Sequence, residues 1–197
     1  MNRNRLTVLA VCVVGVILAG ALIFRSGVFS PPPAPSAVGG PFQLVDYDGK
    51  PVDETVLKGK WSALFFGFTY CPDVCPGTLQ ALATASDQLG PRAKDLQIVM
   101  VSVDPQRDTP AVMKTYLTAG YLPKNIVGLT GSPAQVDAAV KTYRGYYKKV
   151  GDGPDYSVDH STAIYVIDPK GRFDRVIAYS LPPEEIARQL KAAMDGR

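Results

Sequence analysis

Residues Trp61 to Thr69, WSALFFGFT, form a nearly continuous apolar run that ends in YCPDVCP. A short apolar run closed by turn residues is the pattern of a strand buried on both faces. Such a strand needs a covering layer on each side, so it points to helices packed above and below a sheet. Leu96 to Val103, LQIVMVSV, is a second run of this kind, and Ile126 to Thr130 is a third strand candidate. Phe42 to Asp46 reads as a short strand, with Asp48-Gly49 supplying a hairpin turn. Helix signals separate the strands. Pro76 can sit in a first turn without losing a hydrogen bond, and its helix extends to about Leu89. Asp108-Thr109-Pro110 opens a helix to about Ala119. Ser132-Pro133, an N-cap and a first-position proline, opens another to about Tyr143. Ser161 to Ile167 and Phe173 to Tyr179 read as a hairpin joined by DPKG, and Pro183 to Met194 as a final amphipathic helix. The order predicts an α/β fold with a mixed central sheet flanked by helices.

The segment before this domain has a different character. Leu6 to Phe24, LTVLAVCVVGVILAGALIF, carries no charge. Crossing a bilayer core takes about 20 apolar residues, whereas the apolar region of a secretory signal runs to only about 7–15. An uncleaved transmembrane anchor is therefore expected, although Ala19-Gly20-Ala21 offers a small-residue cleavage site. Cys12 reads as a small apolar residue within that helix. Arg3 and Arg5 favour an inside N-terminus. The expected layout is a cytoplasmic N-terminus at 1–5, a transmembrane helix at 6–24, a Pro-rich tether at 25–40 and a domain at 41–197. The leading residues are too few for an Arg- and Ser-rich transit peptide. That favours a bacterial inner membrane, crossed once, with the domain in the periplasm. The net charge, +3 from 21 basic and 18 acidic residues, is too mild for a nucleic-acid partner.

Three cysteines and one histidine limit the chemistry. Cys71 and Cys75 stand where a central strand ends and a helix begins. Sites in α/β sheets gather at the carboxyl ends of strands, and a helix start is expected to lower a thiol's pKa and supply thiolate. The pair suits a disulfide, a redox couple or metal ligation. Thioredoxin-type motifs carry two intervening residues where this one has three. His160 lies some way downstream in DYSVDHSTAIYVID, and spacing alone does not bring it to the cysteines. If the fold does so, two thiolates and an imidazole suit copper as Cu(I) or Cu(II). Structural zinc wants a fourth ligand, for which only aspartates such as Asp73 or Asp159 remain. Asp104, Arg107 and Asp108 in DPQRDTP read equally as a charged loop near the site or as turn and capping residues. Tyr143, Tyr146 and Tyr147, with Arg144, Lys148 and Lys149, read as a helix end with a solvated face. Gly151 to Asp155 reads as a polar loop.

FGFTYCPDVCP, VSVDPQRDTP, TYRGYYKKV and VDHSTAIYVIDPKG together resemble the Sco/SenC family of copper-binding, thioredoxin-like proteins. With the anchor and tether, the likeness covers most of the chain. It implies a thioredoxin-like fold in which Cys71, Cys75 and His160 bind one copper ion. The family's ligand pattern is matched without departure. The resemblance also implies a role in assembling the dinuclear copper centre of cytochrome c oxidase, as a copper metallochaperone, a thiol-disulfide reductase for that site's cysteines, or both. The implied partners are the copper-centre subunit of the oxidase or another copper protein, a copper donor and a thioredoxin-like reductant. A redox or copper sensor would use the same atoms.

Overall fold

The computed structural model describes residues 38–120, 122 and 125–197. The expected transmembrane helix at 6–24, Cys12 and most of the tether lie outside the described residues. Among the described residues no helix is long and apolar enough to cross a membrane.

The domain is built on a seven-stranded mixed sheet. Its strands are β1 (Gln43–Asp46), β2 (Pro51–Asp53), β3 (Trp61–Gly67), β4 (Leu96–Ser102), β5 (Ile126–Thr130), β8 (Ala163–Ile167) and β9 (Phe173–Ala178), in the order β2-β1-β5-β4-β3-β8-β9. A separate antiparallel hairpin comprises β6 (Tyr147–Val150) and β7 (Ser157–His160). The helices are α1 (Val74–Gln88), α2 (Pro110–Leu117), α3 (Pro133–Thr142) and α4 (Pro183–Met194). Two short 3-10 turns, Glu54–Leu57 and Gly90–Asp95, complete the elements.

Strand β3 lies at the centre, parallel to β4 from Trp61↔Leu96 to Gly67↔Ser102 and antiparallel to β8 on its other edge. Successive side chains of a strand face opposite ways. Ala63 and Phe65 accordingly enter one core with Leu79 and Leu82 of α1, Met113 and Leu117 of α2, and Ile186 and Leu190 of α4. Leu64 and Phe66 enter the other with Val136 and Val140 of α3. Each fully buried Leu or Phe contributes roughly 1.5–3 kcal/mol, so the doubly covered β3 is firmly held.

The helix starts follow their sequence signals. The Thr109 hydroxyl accepts from Val112 N at 3.4 Å. Ser132 and Gln135 form a reciprocal capping box, with Pro133 in the first turn. The Tyr143–Lys149 stretch departs from expectation: α3 stops at Thr142, Tyr143 is buried, and Arg144 turns the chain with φ 55°. Tyr147 then begins β6. The expected helix end is thus a helix stop followed by one arm of a hairpin, and the polar loop Gly151 to Asp155 lies at that hairpin's tip.

Gly128 on β5 tests the packing. A Cβ there would stand 2.3 Å from Leu117 Cδ1 and 3.3 Å from Met113 Cε. Gly128→Ala is expected to lower the unfolding free energy by about 1–3 kcal/mol, the usual cost of overpacking, in a urea titration.

Candidate metal centre

The site forms where β3 releases the chain. Phe68, 2% exposed, still packs in the core. Thr69 is then held by Asp108: its backbone N–H donates to Oδ2 at 3.0 Å and its hydroxyl to Oδ1 at 2.5 Å. Ser102 at the end of β4 donates to the same carboxylate at 2.6 Å. Thr130 on β5 donates to the Asp108 carbonyl at 2.8 Å. Asp108 therefore ties the cysteine loop to the ends of two neighbouring strands. Burial pushes its carboxyl above the usual range, while hydrogen bonds from Ser102 and Thr69 pull against that rise.

Helix α1 begins without a side-chain cap from Asp73. Its first free donors are disposed of in another way. The N–H of Cys75 donates to Cys71 Sγ at 3.3 Å, and Pro76 has no N–H to satisfy. The sulfur of Cys71 thus occupies the capping place. Both cysteines are free thiols, Cys71 half-buried and Cys75 buried.

Cys75 departs from the lowered pKa expected at a helix start. Burial is the largest influence and pushes its thiol well above the ordinary value. The hydrogen bond and charge of Cys71 push the same way, and a backbone hydrogen bond at Phe68 opposes. A helix N-terminus is worth about 0.3–1 kcal/mol to a charge, whereas desolvating a charge costs several kcal/mol. Desolvation wins. Gly67 contributes to this close fit, since a Cβ there would lie 3.0 Å from Cys75 Sγ.

His160 arrives from the far side, as the last residue of β7 opposite Tyr147. Its Nε2 lies 3.7 Å from Cys75 Sγ. Its Nδ1 lies 2.9 Å from the Ser161 carbonyl. A carbonyl only accepts, so Nδ1 carries the proton and Nε2 presents a lone pair to the sulfur, the form in which imidazole ligates metals. The Phe68 ring meets the imidazole edge-on at 5.7 Å. This sulfur and this nitrogen would be two of the donors that hold a metal ion here.

Among the described residues no group of three or more His, Cys, Asp or Glu side chains is arranged as it stands to hold a metal ion. The structure brings Cys75 and His160 together and turns Cys71 toward the backbone N–H of Cys75. Asp73 and Asp159 are exposed. Asp159 adjoins His160 on a strand, so its side chain faces the opposite way. The DPQRDTP loop does border the site: Arg107 lies over the rings of Phe68 and Tyr70 at 5.9 and 4.7 Å. Two contributors, Gly67 and Tyr156, were not singled out from sequence. The glycine interrupting FGFT was the only signal for the first, and the second had none.

A family model described as SCO1/SenC matches residues 30–195. The chain is 44% identical over 140 residues to mitochondrial Protein SCO1 homolog 1 of Arabidopsis thaliana. That match covers 70% of this chain and 41% of the longer relative, so the chain spans well under half of that protein's length. The structure of Bradyrhizobium japonicum ScoI with copper bound is 43% identical, with a TM-score of 0.70, covering 78% of this chain and 98% of that one. The structure of BsSco, described through a disulfide switch in a member of the Sco family of cytochrome c oxidase assembly proteins, is 26% identical. Its TM-score is 0.63, and the match covers 81% of this chain and 95% of that one.

The unequal burial of the two sulfurs predicts unequal reactivity. At pH 8, iodoacetamide is expected to alkylate the Cys75→Ser chain, which keeps Cys71, roughly a hundredfold faster than the Cys71→Ser chain, because reaction follows exposed thiolate. Mass spectrometry of timed samples reads the difference.

Proposed function

The chain belongs to the SCO1/SenC family, and from that membership we propose that it is a copper metallochaperone for the assembly of cytochrome c oxidase. One copper ion binds through Cys71, Cys75 and His160 and passes to the oxidase's copper-centre subunit or another copper protein. The observation that carries this reading is the 3.7 Å approach of His160 Nε2 to Cys75 Sγ. It pairs a soft sulfur donor with an imidazole lone pair, a combination that suits copper in both common oxidation states. Cys71, rotating its sulfur off the Cys75 N–H, supplies the third arm. The high proton affinity of Cys75 means that loading displaces a proton from that thiol, as thiolate ligation requires. Residues 6–24 anchor the protein in a bacterial inner membrane and 25–40 tether the domain on the periplasmic side.

One observation favours a second activity of the same residues. A half-buried Cys71 beside a buried Cys75 has the asymmetry of an attacking and a resolving thiol. A thiol-disulfide oxidoreductase acting on the cysteines of a copper-site apoprotein would use that pair without His160. A disulfide between the two would leave no thiolate for copper, so the activities exclude one another at any instant.

Titration of the reduced chain with Cu(I), against a competing chelator, is expected to saturate at one copper per chain. His160→Ala should bind at least about tenfold more weakly, a loss of about 1.4 kcal/mol or more, with unchanged far-UV circular dichroism. The chain oxidised to the Cys71–Cys75 disulfide should not load. Affinity indifferent to His160→Ala, with turnover of a disulfide substrate retained, would favour the oxidoreductase instead.

A further inference from the structure

The hairpin β6–β7 carries His160, yet it stands outside the main sheet. Something must fix it against the cysteine loop closely enough to set a ligand distance. The ladder from Tyr147↔His160 to Val150↔Ser157 is internal to the hairpin and leaves its placement open. Val158 of β7 packs into the second core, and at the hairpin's tip end the polar and cation–π contacts to the scaffold converge on Arg107 and its partner Asp104.

The Arg107 guanidinium lies 3.7 Å from the ring centroid of Tyr156, just before β7. Its other aromatic neighbours are Tyr70, immediately before Cys71, and Phe68, whose ring meets His160. Its Nη1 donates to the Pro154 carbonyl at the hairpin tip at 3.3 Å. Its Nε donates to Asp104 at 2.5 Å, and the other oxygen of that carboxylate accepts from the Tyr156 hydroxyl at 2.5 Å. Asp104 is itself anchored, being 3% exposed and donating its backbone N–H to Ser102 Oγ at 3.0 Å. One planar cation therefore touches the scaffold loop, the cysteine loop and the hairpin together. Its Nη2 is buried without a hydrogen-bond partner. The ring contacts thus act together with the Asp104 and Pro154 hydrogen bonds to set where the guanidinium sits. Turn formation alone asks for neither the stacking nor the tyrosine.

We propose that Arg107 is a positioning residue for His160, clasping the hairpin to the cysteine loop through Tyr156, Pro154 and Asp104 so that Nε2 stands at ligand distance from Cys75. The inference rests on the copper-binding reading above. Arg107 touches neither copper nor a ligand sulfur in this role; it acts through the rings and the hairpin.

The test is a double-mutant cycle on the full chain, read as Cu(I) affinity by chelator competition. Arg107→Gln removes the charge and the stacked plane. Tyr156→Phe keeps the ring and removes only the hydroxyl bond to Asp104, so it answers the question if Arg107→Gln fails to fold. Arg107→Gln is expected to weaken binding about tenfold and Tyr156→Phe about threefold, the scale of a buried cation–π contact and of one charge-assisted hydrogen bond. In the His160→Ala background both effects should vanish, which a merely structural role would not produce. The nitrogen hyperfine pattern of the Cu(II) form should broaden in Arg107→Gln. If affinity ignores His160→Ala in the otherwise native chain, the copper reading falls and the inference with it. If His160 matters but the two variants bind like the native chain, or their losses persist in the His160→Ala background, the inference alone is overturned.

Discussion

Strand β3 is hydrogen-bonded along both edges and buried on both faces, so the point where it ends cannot shift without disturbing two cores. That fixed end is where the chemistry begins. Phe68 stays in the core, Thr69 is held by the carboxylate of Asp108, and the chain turns once through Cys71 into α1. Helix α1 is anchored in turn by Leu79, Leu82 and Ala85, all fully buried. Two rigid elements thus bracket the cysteines, and the loop between them has little freedom to use.

Burial then decides how the two sulfurs differ. Cys71 sits at the rim and caps the helix start. Cys75 sits beneath it, beside a glycine that leaves room for its sulfur. A helix N-terminus would favour an anion at Cys75, but burial outweighs it and the thiol keeps its proton. In the proposed function a bound metal ion would supply compensating positive charge, and a soft one matches the donors. The same buried thiol is a poor nucleophile when free. In this way a single environment suits storage of a metal better than unassisted thiol chemistry, while the more accessible Cys71 keeps the redox route open.

Much of this was legible in the sequence where periodicity and local chemistry agree. WSALFFG and LQIVMVS have the pattern of doubly buried strands and form them, and Ile126–Thr130, the Ser132-Pro133 start and Pro183–Met194 stand where their signals put them. The β6 strand was not legible. YKKV carries two lysines and a burial pattern open to solvent on three of its four residues, so neither strand alternation nor an apolar run marks it, and the tyrosines around it, Tyr143, Tyr146 and Tyr147, read as a helix end. The nearness of His160 to the cysteines came from family resemblance, because a separation of 85 positions from Cys75 holds no local signal. The depth of Cys75 was invisible for a similar reason. A helix start can be read from Cys-Pro spacing, but burial depends on what Gly67, Phe68 and the hairpin place above it. Arg107 read equally as a site-bordering charge or a turn residue, because Tyr156, its main ring partner, lies far along the chain.

In the proposed function copper sits between Cys75 and His160, with Cys71 completing the set. X-ray absorption at the copper edge of the Cu(I)-loaded, reduced chain tests it most directly. The expected result is two sulfur neighbours and one nitrogen, with imidazole scattering that disappears in His160→Ala while the sulfur shell remains. A sulfur-only shell, unchanged by His160→Ala, would contradict it and leave the approach of His160 to Cys75 without a role in metal binding.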